Sequence, residues 1–280
     1  MDIVFTQETD RNGTFVLSEA TPSFANSIRR AMIGEVPTLA IEEVRIYDNT
    51  SVLFDEMLAH RLGLIPLKTD LEAYVPQSEC ACAGAGCPVC TATYTLSAEG
   101  PRIVYSRDLI PQDPRAAPAE DNVPIAELKA DQKIVLEARA VINTGKVHAK
   151  WQPTVVCGYK NYPILTIDEN CDNCGSCADE CPRGVLKAES PRKVSVVKVE
   201  DCSLCRLCEK VCLQGSIGTE SAIRVSADET RFIFVVESDG SLPVKEITQR
   251  AVNHLARKAT EVIRILDETF EGVPNEQEMV

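Results

Sequence analysis

Basic charge is scarce in this chain: 29 Lys and Arg stand against 42 Asp and Glu, a formal net charge of −13. A surface that tracks the DNA backbone needs the opposite balance, so tight DNA binding by this chain alone is not expected. No apolar run approaches the roughly 20 residues needed to cross a bilayer, which argues against a membrane protein. The start, Met1-Asp2-Ile3-Val4-Phe5, has neither a basic n-region nor an apolar h-region, so no secretory leader is expected and the chain reads as cytoplasmic. Also missing are a phosphate-binding glycine loop, a dinucleotide fingerprint, a carboxylate triad for two magnesium ions and a nucleophile–base pair. No catalytic residue is therefore assigned, and partners must supply any chemistry. What remains, 44% hydrophobic and 25% charged residues over 280 positions, suits one or two buried domains plus a small unit.

Cysteine, by contrast, is plentiful. Eight of the thirteen lie between Cys171 and Cys212, as Cys171, Cys174, Cys177, Cys181 and then Cys202, Cys205, Cys208, Cys212. The second set repeats the first 31 residues later, with the spacing C-x2-C-x2-C-x3-C both times. A chance arrangement would not double itself. Disulfides need an oxidising compartment, and zinc sites usually join two C-x2-C units across a longer loop. The runs resemble those of two-cluster bacterial-type ferredoxins, in which the fourth Cys of each run ligates the other cluster. That resemblance implies two [4Fe–4S] clusters, one on Cys171, Cys174, Cys177 and Cys212, the other on Cys202, Cys205, Cys208 and Cys181. Pro182 follows the first run as in the ferredoxin pattern, whereas Leu213 replaces it after the second.

A separate group, Cys80, Cys82, Cys87 and Cys90, puts four thiols in eleven residues around Gly84, Gly86 and Pro88. Four thiolates on a tightly turning loop suit a structural, tetrahedral zinc site with no open position. Unliganded loop cysteines are the alternative. Cys157, alone in an apolar stretch, reads as a buried core thiol.

The hydrophobic pattern predicts strands at residues 3–7 and 14–17 around Asp10-Arg11-Asn12-Gly13, with Asn-Gly supplying the positive φ angles of a tight hairpin turn. A helix follows, capped by Thr21 or Ser23, with Pro22 in its first turn and Gly34 at its end. Its apolar stripe is Phe24, Ile28, Ala31 and Met32, with Asn26, Arg29 and Arg30 facing elsewhere. Further strands are predicted at 41–47, 93–97, 103–105, 133–141 and 231–237, a short helix at 55–62, and a loop at 111–122. His148, with no partner to form a catalytic pair, reads as a packing or interface residue. The longest helix is predicted from Pro243 to Phe270, about 40 Å, closed by Gly272 and Pro274. Its stripe runs Val244, Ile247, Ala251, Leu255, Ala259, Val262, Leu266 and Phe270, with Val252, Ile263 and Ile265 off that line. A helix apolar on more than one face needs cover from two sides, so a second protein is expected against it, burial in its own domain being the plainer reading.

Two stretches, Asn26 to Met32 with Glu35 to Ile41, and Phe54 to Leu67 containing His60-Arg61-Leu62-Gly63-Leu64-Ile65-Pro66-Leu67, resemble the D-type subunit of archaeal DNA-directed RNA polymerase. So does Gly145 to Pro153 around His148-Ala149-Lys150-Trp151. That family is similar to the third-largest subunit of eukaryotic RNA polymerase II and to the amino-terminal domain of the bacterial alpha subunit. The resemblance implies a transcription role without catalysis, as scaffold and assembly subunit of a nucleotidyltransferase. A heterodimer with the small subunit L would form the platform for the large catalytic subunits. It implies an α+β fold of three parts. Residues 1–40 and 222–280 would form a discontinuous dimerisation domain of antiparallel sheet with helices. Residues 41–165 and 216–221 would form a β-rich insert domain, and 166–215 a ferredoxin-like βαβ repeat domain. Some members carry such a ferredoxin-like insertion. The 80–90 loop resembles the zinc loop of the eukaryotic counterpart, with one more residue between its second and third cysteines. Partner contacts are implied for Phe24, Ile28, Met32, Ile247, Ala251, Leu255, Val262 and Leu266, and large-subunit contacts for Arg29 and Arg30. The rival from another class is an iron–sulfur electron-transfer subunit of an oxidoreductase complex, which would need a flavin, nicotinamide or metal-cofactor site nearby.

Overall fold

A computed structural model describes residues 1–189, 193–215 and 220–271. Its elements run β1 (Asp2–Glu8), β2 (Asn12–Ser18), α1 (Pro22–Gly34), β3 (Pro37–Asn49), α2 (Asp55–Gly63), β4 (Thr91–Glu99), β5 (Arg102–Tyr105) and β6 (Ile110–Pro111). They continue β7 (Pro124–Leu128), β8 (Lys133–Thr144), β9 (Thr154–Ile167), α3 (Ser176–Asp179), β10 (Leu186–Glu189), β11 (Lys193–Val196), α4 (Leu207–Gly215), β12 (Ile223–Ser238) and α5 (Val244–Glu271). The mixture is α+β with antiparallel pairing, as expected. Two compact units divide the chain: one takes residues 1–6, 14–25 and 159–234, the other the rest.

The first unit is built on a sheet of order β1-β2-β12-β9. Phe15 and Phe234 stack with centroids 4.8 Å apart, and Tyr159 meets the Phe232 ring edge-on at 5.5 Å. Asn12 and Gly13 do not make the first turn; they begin β2. Thr9 closes the turn instead: its N–H donates to the Asn12 carbonyl, and its hydroxyl accepts the Asn12 N–H at 2.8 Å. The Asp10 and Arg11 carbonyls are committed to Val244 and Ser238, which fixes the turn one step earlier than the Asn-Gly signal.

The second unit holds a sheet of order β3-β8-β4-β6 and a β5–β7 pair. Alternation puts Ala92, Tyr94, Leu96 and Ala98 of β4 opposite Ala140, Ala138, Leu136 and Ile134 of β8, all buried on one face. Leu58 and Leu62 of α2 fill the same core. Strand β7 has no clear signal in the sequence, because an initial proline reads as a breaker; Pro124 is its first residue, where a missing N–H is tolerated. The 111–122 stretch is mostly loop, as expected, with one 3₁₀ turn at Pro114–Ala116. Helix α1 begins as predicted, with the Thr21 hydroxyl accepting the Phe24 N–H. The predicted stop of the last helix at Gly272 and Pro274 lies outside the described residues.

The Gly145–Pro153 stretch proves to be a clamp. The Lys150 ammonium donates to the Ile41 carbonyl at 2.9 Å and to the Glu42 carboxylate, and lies 4.3 Å over the Trp151 ring. Trp151 donates its indole N–H to Val141 O, and Thr38 donates its hydroxyl to Trp151 O. His148 is exposed and its Nδ1 accepts the Lys150 N–H, capping a 3₁₀ turn. Gly145 is required because a Cβ there would sit 2.4 Å from the Ile33 carbonyl oxygen.

Tyr94 is fully buried and donates its hydroxyl to the Ala116 carbonyl at 2.6 Å. Truncation of a large aromatic in such a core costs about 3–5 kcal/mol, and loss of the hydroxyl alone about 1 kcal/mol. Denaturant titrations of Tyr94→Ala and Tyr94→Phe are expected to rank in that order; equal losses would mean that the hydrogen bond, not packing, holds this face.

Candidate functional site

The loop before β4 brings four sulfurs together. Cys80 and Cys87 Sγ stand 3.4 Å apart, Cys82 and Cys90 3.5 Å, Cys87 and Cys90 3.9 Å, and all four lie within 4.8 Å of one another. Left-handed backbone at Ala83, Gly84 and Gly86 folds the loop this tightly. Ligands about 2.3 Å from a tetrahedral ion stand about 3.8 Å from each other, so the donor set fits a four-thiolate metal site. The thiols share their protons unequally. Cys82 is lowered to about 5, first by the Cys87 amide and then by the Cys80 thiol.

In the first unit the two cysteine runs repeat in backbone as well as in spacing. Asn173 and Gly175 are left-handed in the first, Leu204 and Arg206 in the second, each pair 31 residues apart. Only one of these four is glycine, so the other three hold a conformation that side chains disfavour. Each run thus makes the same left-handed backbone wrap. Helices α3 and α4 follow each wrap, and β10 and β11 form a hairpin between them. Each half runs strand–helix–strand, β9-α3-β10 and then β11-α4-β12, the order expected of a ferredoxin-like repeat.

Cys177 is buried and its thiol is pushed up to about 11, first by burial and then by the neighbouring Cys171, Cys174 and Cys212 sulfurs. Cys208 is raised by burial and by Cys202 and Cys205. A small cavity is lined by Cys181, Cys202, Cys205 and Cys208 together with Leu165, Val185, Leu186 and Val225. The fourth Cys of each run therefore lies beside the other run's three. Three of these eight thiols, Cys177, Cys202 and Cys208, are buried, and Cys174 and Cys205 are exposed.

Helix α5 divides along its length. Val244, Ile247 and Ala251 are fully buried, whereas residues 256–269 are all exposed. Val262, Ile263, Ile265 and Leu266 show 56%, 58%, 48% and 47% of their surface. The stripe predicted to meet a partner is thus split. Ile28 and Met32 of α1, with Ile247 and Ala251, are buried within this chain. Phe24 and Leu255 are half-buried; Val262 and Leu266 stay open. The side chain of Phe270 lies outside the described residues. Arg29 is half-buried and donates to Asn26 Oδ1, and Arg30 is exposed. Both line a groove of about 470 Å³ with Glu35, Lys146, His254 and Lys258. Cys157 is half-buried rather than fully so; burial still pushes its thiol up to about 11. Among the described helices none is long and apolar enough to cross a membrane.

These features define an α+β protein with cysteine centres. The sequence of residues 14–259 matches the family described as RNA polymerase Rpb3/Rpb11 dimerisation domain, and the chain belongs to that family. It is 53% identical to DNA-directed RNA polymerase subunit Rpo3 of Methanosarcina mazei over 96% of this chain and 99% of that one. Identity is 45% to the Archaeoglobus fulgidus subunit, over 95% and 98%, and 44% to that of Methanothermobacter thermautotrophicus, over 94% and 98%.

The thiol pKa values give a direct check on the 80–90 loop. In metal-stripped, reduced protein at pH 6, Cys82 is expected to alkylate well before Cys157, because only the former is thiolate there. Peptide mass spectrometry reads this; equal labelling would remove the hydrogen-bonded thiol group.

Proposed function

We propose that this chain is the scaffold subunit of an archaeal DNA-directed RNA polymerase, with the catalytic site on other subunits. It would pair with the small subunit L and present the pair to the large subunits. The carrying observation is the family match across residues 14–259, joined to the open apolar half of α5. Val262, Ile263, Ile265 and Leu266 are each about half exposed, so covering the rest is worth roughly 1 kcal/mol apiece. The discontinuous domain of residues 1–40 and 222–280 is the part assigned to that pairing. An electron-transfer role alone leaves the exposed half of α5 unexplained.

The two cysteine runs are assigned to two [4Fe–4S] clusters, with fourth ligands exchanged between runs, and the 80–90 loop to one zinc. When bound, the clusters supply one-electron redox chemistry and a rigid core for residues 166–215. This chain's residues would hold them: each wrap would orient three sulfurs, and α4 would offer Cys208 to one group and Cys212, one turn on, to the other. Cytoplasmic location follows from the polymerase role.

Two measurements follow. Val262→Asp with Leu266→Asp is expected to weaken capture of the small subunit at least a hundredfold without changing the circular dichroism spectrum, since both side chains are open in this chain. Unchanged capture would move the interface elsewhere. Anaerobically prepared protein is expected to hold about eight irons and one zinc, and Cys212→Ser to damage the cluster of the first run; damage confined to the second run would disprove the exchange.

A further inference from the structure

The two cysteine wraps share a backbone but not an electrostatic environment. Residues 168–181 carry five acids (Asp168, Glu169, Asp172, Asp179, Glu180) and no base. The equivalent residues 199–212 carry three acids (Glu200, Asp201, Glu209) and two bases (Arg206, Lys210), a net of −1. To the second wrap a further cation is added from the sheet. Lys160 of β9 donates its ammonium to the Glu200 carbonyl at 2.6 Å and to the Cys202 carbonyl at 2.8 Å. Those carbonyls end the 3₁₀ turn Val199–Asp201 that leads into the second run. Among the described residues, backbone N–H bonds to sulfur also fall on this side. Cys181 Sγ accepts from Val185 at 3.4 Å, and Cys202 Sγ accepts from Leu204 at 3.5 Å. Each site has one exposed cysteine, Cys174 or Cys205, and the second site has two buried ones, Cys202 and Cys208, against Cys177 alone in the first.

Cluster potential follows net charge, hydrogen bonds to the sulfurs and exposure. Charge and hydrogen bonds to sulfur both favour an added electron at the second site. Resting on the cluster assignment above, we propose that the clusters are inequivalent, that the one on Cys202, Cys205, Cys208 and Cys181 is reduced first, and that Lys160 is the positioning residue that sets its potential. Lys160 acts through the carbonyls it holds and through its charge. Its two charge-assisted hydrogen bonds also tie the second wrap to β9. In each step one electron from dithionite takes one cluster from its 2+ to its 1+ state, and no bond forms or breaks.

The test is an anaerobic dithionite titration of the full chain followed by electron paramagnetic resonance, with iron counted beforehand. Two separate one-electron steps are expected, and Cys205→Ser should alter the higher one. In Lys160→Met the reduced-to-oxidised ratio of that cluster at a fixed potential should fall about tenfold, a shift of about 59 mV, with the lower step unmoved. Lys160→Arg should restore it. A purely structural lysine would lose iron in the Met variant without moving the potential of what remains, and that result overturns the proposal. So does a single step for both clusters, or a shift of the lower step. A chain with no iron overturns the cluster assignment itself, which the iron count reveals before any titration.

Discussion

Between Leu165 and Val225, three of the eight buried side chains that form the local core are thiols: Cys177, Cys202 and Cys208 stand with Val185, Leu186, Val194, Ile223 and Val225. A segment of this size buries too little apolar surface to order itself unaided. Three left-handed non-glycine residues, Asn173, Leu204 and Arg206, add strain that such a core cannot offset. Metal binding would supply the missing folding energy, because the sulfurs already occupy core positions. The 22 buried residues around Tyr94 and Leu58 contain no cysteine, and that core has no comparable need.

This contrast separates two kinds of stability within one chain. The sheets of the second unit are held by apolar alternation and by the Lys150–Trp151 clamp over β3, neither of which depends on iron or oxygen. The cysteine wraps depend on both under the cluster reading. Helix α5 shows a third situation: its first half is part of the core, and its second half is held by Arg264 with Glu261 and Glu268, an i,i+3 and i,i+4 set worth a few tenths of a kcal/mol per pair. Such pairs support an isolated helix poorly.

Much of this was legible in the sequence, for identifiable reasons. Doubled spacing exposed the cysteine runs, and the N-cap at Thr21 and the alternation of β4 and β8 placed those elements. Helix periodicity could not divide α5, since Ile247 and Val262 share one stripe and only the first lies against the chain's own core. Nor could spacing show that Asn173 and Gly175 repeat as Leu204 and Arg206, because leucine and arginine carry no turn signal. The Asn12-Gly13 signal was overridden by tertiary hydrogen bonds to Asp10 and Arg11. The role of Lys160, distant in sequence from the cysteines it serves, had no local signature.

The central claim is that metal folds residues 166–215 while the rest of the chain folds on its own. Hydrogen exchange of the pair with its small subunit, compared with and without iron, tests it most directly. Protection is expected to vanish across residues 166–215 on iron removal and to persist across residues 243–270. Loss of protection in both stretches would contradict the account, making the clusters a support for the whole fold.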